Sequence, residues 1–547
     1  MSDIVEQLKL IQAEFNDIST TAKFETGCDV RGVSSCVLSR TNAPTIDDDD
    51  VVVGFNDVAE NIIDGLTRGM TERDVISIVG MPGLGKTTLA KKVFNDEKVS
   101  NYFNKRAWCY VSEVYKRKEL LLGILSQVLE DVDEATKMKD DADLAELLYR
   151  KLKRKRYLIV VDDLWDIKAW DDLQRSFPED DNGSRIMITT RLQDLASQIE
   201  SDMKPDNHPT PLRFFTVEES WELLHKKVFP TDCCPEKLKE PGMRIAKSCQ
   251  GLPLAVTLVA GLLARTEKKE VWWKEVAESM SSYIVDEYNQ CTIILELSYK
   301  HLPDHLKPCF LYFGEFLKHP LIPIKKLIWL WIAEGFVPQT DGKSFEDIAE
   351  NYLKDLIGRS LVMATRKRSN GSMKVCHVHD LLREYCKRKA EEKNFFELIC
   401  NKNKRTFRDD LDDILESTYS VSPEEPRTIH TQRRLCIYSQ RESFVKSRSS
   451  GPQVRSLLFF GINDISMTKP YDVSPICIGF RLLRVLDLGC INVGDSFPED
   501  IELMIQLRYL ALQGTMRSVP PTISKLLYLE TFLLKALRGE VCLPYTC

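Results

Sequence analysis

Val75 to Phe94 reads VISIVGMPGLGKTTLAKKVF, and the order of its three parts decides the fold. A β-branched run, VISIV, leads into the turn GMPGLGKT, Gly80 to Thr87, which satisfies G-x-x-x-x-G-K-[ST]; TTLAKKVF then reads as a helix. Glycines at 80, 83 and 85 let successive backbone N–H groups turn inward on phosphate oxygens, and the helix start adds its positive end. Lys86 is expected to meet the β and γ phosphates, and Thr87 to ligate Mg2+. Such a cradle needs a carboxylate at the end of a neighbouring buried strand. RYLIVVDDLWD supplies it, with Asp162 the candidate metal ligand and Asp163 the candidate for positioning an attacking water.

Around the cradle, RAWCYV, YLIVVDD and SRIMITT read as further buried strands separated by helices, so Val51 to about Phe215 is expected to form a parallel α/β sheet. ITTR puts Arg191 at the end of one strand, within reach of a γ phosphate. No N-K-x-D or T-K-x-D occurs to read guanine, which favours adenine. The strong hydrolases of this class usually place Glu after the metal Asp, so the shorter Asp163 points to slow turnover, at most a slow ATPase.

A chain of 547 residues is too long for one core, and at roughly 150 residues per domain it should hold three or four. Apolar residues at 43% and charged residues at 29% indicate mostly globular structure, and the net charge of -7 argues against a bulk nucleic-acid or membrane binder. LIVV and LPLAVTLVAGLLA are too short to span a bilayer, and MSDIVEQLKL lacks the apolar core of a signal peptide. The sixteen cysteines form no C-x-x-C pair, as expected of reduced thiols in a cytoplasmic chain.

Ile4, Leu8, Ile11, Phe15 and Ile18 form a short helical seam, and Ser19 to Asp50 loses periodicity as a linker. From Thr216 to Phe396 the pattern is mostly helical, interrupted where Asn370-Gly371 marks a hairpin between two strand-like runs. The last hundred residues repeat with a period of 22: Leu507 aligns with Leu529, Leu510 with Phe532, Leu512 with Leu534, while LRVLDLGC begins a copy 24 residues before Leu507. Repeats of this kind hide their apolar face only by stacking on the next.

Two stretches invite functional readings. VCHVHDLLREYC, Val375 to Cys386, puts two cysteines and two histidines within twelve residues, but without standard zinc spacing, and Cys376 and His377 should point to opposite faces of a strand. Asp380 is expected to cap the helix that follows. RKLKRKR, Arg150 to Arg156, and the basic hairpin tip of Arg366, Lys367, Arg368 and Lys374 read most simply as solvated surfaces, rather than an import signal or a DNA-binding wing. Trp329 and Trp331 read as core.

Taken in order, VVGF (Val52 to Phe55), GMPGLGKTT, RAWCYVS, YLIVVDDLWD, GSRIMITTR, CQGLPLAV, CFLYFGEFLKHPLIPIKKLIWLWIAEGF and VHDLL resemble the plant nucleotide-binding (NB-ARC) leucine-rich-repeat immune receptors. Trp165 is similar to their coiled-coil class, and LELSYKHLPDHLKPCFLYFGEFL to the solanaceous late-blight resistance group. The resemblance implies a multidomain α/β chain. It would hold an N-terminal helical remnant and linker (1–50), a P-loop NTPase parallel sheet domain (51–215) and a helical domain (216–296). A winged-helix domain (297–396), a linker (397–450) and a short leucine-rich-repeat solenoid (451–547) would follow.

It also implies an ADP-locked resting state and an ATP-bound active one. Val52 and Val53 would lie by the adenine; Gly80, Gly83, Gly85, Lys86, Thr87 and Thr88 would hold phosphate; Arg191 would sense the γ phosphate; Pro253 would pack on the nucleotide; and His379 would touch the ADP β phosphate. The family's usual Met-His-Asp is Val378-His379-Asp380 here. By the same resemblance the partner is a pathogen effector or a guarded host protein, with a hypersensitive response on perception. Self-association on activation and peripheral membrane association are compatible with it, and no nucleic-acid partner is expected. Two other readings stand beside it: an ATP-hydrolysing regulator with a DNA-binding winged helix, and a shortened, signalling-dead homologue.

Overall fold

The computed structural model describes residues 53–537 apart from 69–70, 112–114, 130–131, 204–208, 232, 282–286, 317–320, 340–341, 368–372, 400–431, 439–440, 447 and 461–469. The N-terminal seam and linker, Val52, Arg368 and the Asn370-Gly371 turn lie outside the described residues. Strands β1 (Asp74–Val79), β2 (Lys105–Tyr110), β3 (Tyr157–Leu164), β4 (Arg185–Thr190) and β5 (Thr210–Pro211) form a parallel sheet in the order β2-β3-β4-β1-β5. Every residue of β3 except Asp163 is buried, as a continuous apolar run between two helical layers requires. The order sets the strand ending in the glycine turn beside the strand ending at Arg191, with the acidic strand next to that.

Helices Val217–Val228, Glu236–Ser248, Pro253–Ala264 and Glu270–Ser281 follow. The first opens with a reciprocal cap, Thr216 accepting from the Glu219 N–H while Glu219 accepts from the Thr216 N–H. Pro253–Ala264 is apolar on nearly every side and correspondingly buried. At Gly261 it meets the chain beyond, because a Cβ there would lie 2.1 Å from the Arg359 carbonyl oxygen.

The next unit combines helices Leu306–Leu311, Ile324–Glu334, Phe345–Gly358 and Asp380–Glu392 with a small antiparallel sheet of β6 (Ile322–Pro323), β7 (Met363–Lys367) and β8 (Met373–His377), ordered β6-β8-β7. Trp331 is fully buried in its core, and Trp329 packs against the same core.

A third sheet runs parallel through β9 (Glu397–Ile399), β10 (Arg434–Ile437), β11 (Ser456–Phe459), β12 (Val485–Asn492), β13 (Tyr509–Gly514) and β14 (Thr531–Ala536). The sequence repeat becomes its register: Leu510 pairs with Phe532 and Leu512 with Leu534, and Val485 with Tyr509. Unlike the linker expected over 397–450, β9 and β10 already belong to this sheet. Strands of three and four residues are too short to display the repeat.

The sheet docks on helix Ile324–Glu334 through a buried ionic cluster. Arg434 Nε donates to Glu334 Oε2 at 2.8 Å, and the guanidinium also lies 4.3 Å from the Phe395 ring centroid. Glu315 is wholly buried beside them. Burial, then the Glu334 charge, push its carboxyl well above the ordinary range. Lys326 adds an ion pair to Asp487 of β12 at 2.6 Å. Arg434→Ala, which strands Glu334 without its partner, is expected to cost about 3–5 kcal/mol. The check is the midpoint of denaturant unfolding; an unchanged midpoint would show that the cluster does not hold this junction, and Arg434→Lys should recover part of the loss.

Candidate functional site

The glycine turn keeps its shape because two of its residues sit in the left-handed region, Gly83 at φ 82° and Gly85 at φ 96°. Helix Lys86–Phe94 starts on Gly85, whose carbonyl accepts from the Leu89 N–H at 2.9 Å. Lys86 is buried and donates Nζ to the carbonyls of Gly80 (2.7 Å) and Met81 (3.1 Å). Burial first, then the Arg191 charge, pull its ammonium down to about 8. Thr88 is exposed on the first helical turn, and Val53 is buried in the neighbouring core.

The two acidic residues of β3 adopt different conformations. Asp163 has φ 58°, and the pairing of β3 with β4 slips between Val161 and Leu164, a bulge that re-aims the strand end. Thr189 of β4 pins it: its hydroxyl accepts the Asp163 N–H at 2.8 Å and donates to Asp162 Oδ1. Thr87 donates to the same Asp162 oxygen at 3.0 Å. Burial pushes Asp162 up to about 6 against the pull of these hydrogen bonds. A fully desolvated carboxylate beside the Thr87 hydroxyl has the chemistry of a site for a hard cation such as Mg2+, whose charge would offset that penalty.

Arg191 gathers the remaining groups. Its Nε lies 3.4 Å from Asp163 Oδ1, its other end pairs with Asp380, and its Cζ sits 4.3 Å from the Trp165 ring centroid. Asp380 also pairs with Arg383 at 2.8 Å. Although burial opposes its charge, the two arginines hold Asp380 below the ordinary carboxylate range. Asp380 does not cap its helix: His379 does, its Nδ1 accepting from the Leu381 N–H at 3.2 Å while Asp380 is the first helical residue. With Nδ1 accepting, the imidazole proton lies on Nε2, which makes neutral His379 a donor on its other edge. Burial brings its pKa down to about 4.

The helical unit closes the cradle from the other side. Leu254 N donates to the Gly83 carbonyl at 3.2 Å, and a Cβ on Gly85 would touch the Pro253 ring at 4.0 Å. Thus Lys86, Thr87, Asp162, Asp163 and Arg191 converge with Pro253 and His379 from two later units. Cys376 and Cys386 take no part: both are buried, their thiols donating to the Ile322 and Phe310 carbonyls. Among the described residues no group of three or more His, Cys, Asp or Glu is placed to hold a metal ion.

The NB-ARC domain model matches residues 55–234, and the disease resistance protein winged helix domain model matches residues 316–386. The putative late blight resistance protein homolog R1B-12 of Solanum demissum is 40% identical over 545 residues, covering 98% of this chain and 38% of its own length. The chain carries an NB-ARC domain and a disease-resistance winged-helix domain, and nearly its whole length is similar to late blight resistance proteins. Late blight resistance protein R1-A of the same species is 39% identical over 551 residues, covering 100% of this chain and 40% of its own. The chain thus spans about two fifths of the length of the curated relatives it matches. Among solved structures, a signal transduction ATPase with a tetratricopeptide repeat sensor from Pyrococcus horikoshii is similar at 17% identity and TM-score 0.39, covering 64% of this chain and 44% of that one. So loose a match carries nothing further.

Three contacts of this NB-ARC chain were not read from its sequence: the Thr189 hydroxyl bridge, the Asp380 pair and the Trp165 stack. Thr189 and Trp165 stand within the two strand motifs already singled out, so polar residues flanking the candidate metal carboxylate were the available signal. Asp380 lies 189 residues from Arg191, and no local pattern announces such a partner.

His377 and His379 both have pKa values brought down to about 4 by burial, with Lys91 adding to the effect on His377 and Asp380 opposing it at both. The folded chain therefore binds fewer protons than the unfolded one between their ordinary value near 6.5 and about 4. Their contribution is complete above about 6.5 and is lost as pH falls through that window, while Asp162, raised to about 6, works in the opposite sense. A His377→Gln, His379→Gln double variant should lose less thermal stability than the parent between pH 7 and 4.5. Parallel melting curves across that range would contradict the assignment.

Proposed function

We propose that this chain is the adenine-nucleotide switch of a plant intracellular immune receptor, holding ADP at rest and ATP when active, and triggering defence on perception of an effector or a guarded host protein. The observation that carries the reading is the convergence on one cradle of Lys86 from the sheet, Pro253 from the helical unit and His379 from the winged helix. A ligand lying there would touch all three and could bias their arrangement by its differential affinity.

Lys86 and the N–H groups of the turn would neutralise the phosphates, and Nε2–H of His379 would donate to an oxygen of the β phosphate. Pro253 and Val53 would supply apolar contact to the base, with Arg191 answering a γ phosphate. Thr87 and Asp162 would hold Mg2+, which when bound supplies positive charge to the phosphate oxygens. Asp163, already paired with Arg191 and Trp165, would position water, and a carboxylate so engaged is consistent with slow hydrolysis. The disease-resistance winged-helix match favours this reading over a DNA-binding regulator. No described helix is long and apolar enough to cross a membrane. The reading places the switch in the cytoplasm, with self-association accompanying the active state.

Protein purified without added nucleotide, then denatured, should release ADP on chromatography, and Lys86→Ala protein should release none. Retention of ADP by Lys86→Ala would refute the cradle assignment. His379→Ala should raise the Kd for ADP by about 10- to 100-fold, the value of one hydrogen bond to a charged oxygen. Isothermal titration would register that change, and an unaltered Kd would remove His379 from the site.

A further inference from the structure

Trp165 lies between the end of β3 and Asp166, the residue whose side chain caps helix Ile167–Gln174 by accepting the Lys168 N–H. Its backbone is therefore fixed on both sides: Asp166 anchors the helix start, and Thr190 Oγ1 donates to the Leu164 carbonyl at 2.7 Å. The half-buried indole makes two contacts at once. Nε1 donates to Asp163 Oδ2 at 3.1 Å, and the ring face lies 4.3 Å from Arg191 Cζ. Asp163 is therefore held through one oxygen by the indole and through the other by Arg191 Nε at 3.4 Å.

The far end of the same guanidinium pairs with Asp380, so a plank of aromatic surface and two carboxylates fix its plane. Charges alternate along the row from Asp163 through Arg191 and Asp380 to Arg383. A flat cation stacked on a ring keeps its in-plane donors for anions at the edge, and here those donors face a carboxylate of the winged helix.

We propose that Trp165 is a positioning residue for nucleotide discrimination: by stacking under Arg191 and holding Asp163, it keeps the guanidinium on Asp380 and thereby favours a nucleoside diphosphate over a triphosphate. The inference rests on the reading of Arg191 as the group that answers a γ phosphate. A third phosphate competes with Asp380 for the same guanidinium, whereas a diphosphate leaves that pair untouched. Whatever strengthens the Arg191–Asp380 orientation thus raises the ADP preference without a contact to either nucleotide. Trp165 strengthens it through the face of the guanidinium.

The test measures Kd for ADP and for ATP, each with Mg2+, on the intact chain. Trp165→Leu should move the ATP-to-ADP affinity ratio toward ATP by about two- to thirtyfold, the range of a cation–π contact. Trp165→Phe, which keeps a ring but loses the indole N–H, should move it the same way by a smaller factor. Asp380→Asn should also shift the ratio, and Trp165→Leu should add little on top of it, since both act on one orientation.

If both affinities fall together with the ratio unchanged, or if the two shifts simply add, Trp165 is a packing residue and the inference is overturned. Should Trp165→Leu fail to fold, Trp165→Phe decides alone, and an unchanged ratio overturns it. Arg191→Ala separates the two levels. A shift with Arg191→Ala but none with the Trp165 variants defeats only the role of Trp165. No shift with Arg191→Ala defeats the γ-phosphate reading and this inference with it.

Discussion

The arrangement of the site hangs on one guanidinium. Arg191 stands at the end of β4, pairs with Asp163 of the neighbouring strand and with Asp380 at the start of a helix in a different unit. With about 18% of its side chain exposed, it cannot rely on water for solvation, so its position is dictated by the anions around it. Such a pair adds little net stability, because desolvation consumes much of the Coulombic gain. What it fixes is orientation: a planar fork meets its carboxylates in few geometries, and the winged helix is set by that choice.

The same reasoning explains why the acidic strand departs from regular pairing. In a plain strand Asp162 and Asp163 would face opposite sides of the sheet. The left-handed backbone at Asp163 and the slipped register turn its side chain toward Arg191 while Asp162 stays under Thr87. A non-glycine residue at positive φ carries strain, and the Thr189 hydroxyl, bonded to both residues, helps offset it. Strain located beside the phosphate cradle is where a nucleotide-dependent geometry would be expected to store it.

Much of this was legible in the sequence, for identifiable reasons. The cradle is a contiguous string whose backbone geometry follows from its glycines, so Lys86 and Thr87 could be placed from eight letters. The repeat spacing of 22 became a strand register because stacked copies turn the same apolar positions toward one core. What escaped was set by tertiary geometry. Asp380 looked like a helix cap, since Asp is a preferred residue there, but His379 has the extended backbone of a cap and Asp380 is drawn to Arg191. The bulge at Asp163 has no glycine to signal it. Strands β9 and β10 read as linker in the sequence because three and four residues cannot show a period.

The winged-helix unit is held on two sides, and the two contacts are of different kinds. Toward the repeats it presents Glu315, Glu334, Tyr312 and Phe336 to Arg434 and Tyr438, nearly all buried, with Tyr438 stacked on Phe460 at 4.7 Å. Parting those surfaces would expose aromatic area and leave a buried carboxyl group and an ion pair to be resolvated, with nothing in the site to replace them. Toward the nucleotide cradle it presents His379 and Asp380, half-buried polar groups, the second of them paired with the Arg191 cation. On the proposed reading, phosphate oxygens would compete for Arg191 and for the Nε2 edge of His379, so this contact could be exchanged rather than merely broken. A bound nucleotide would, on that reading, have leverage over the winged helix where the protein's own bonds are made of the groups a phosphate offers.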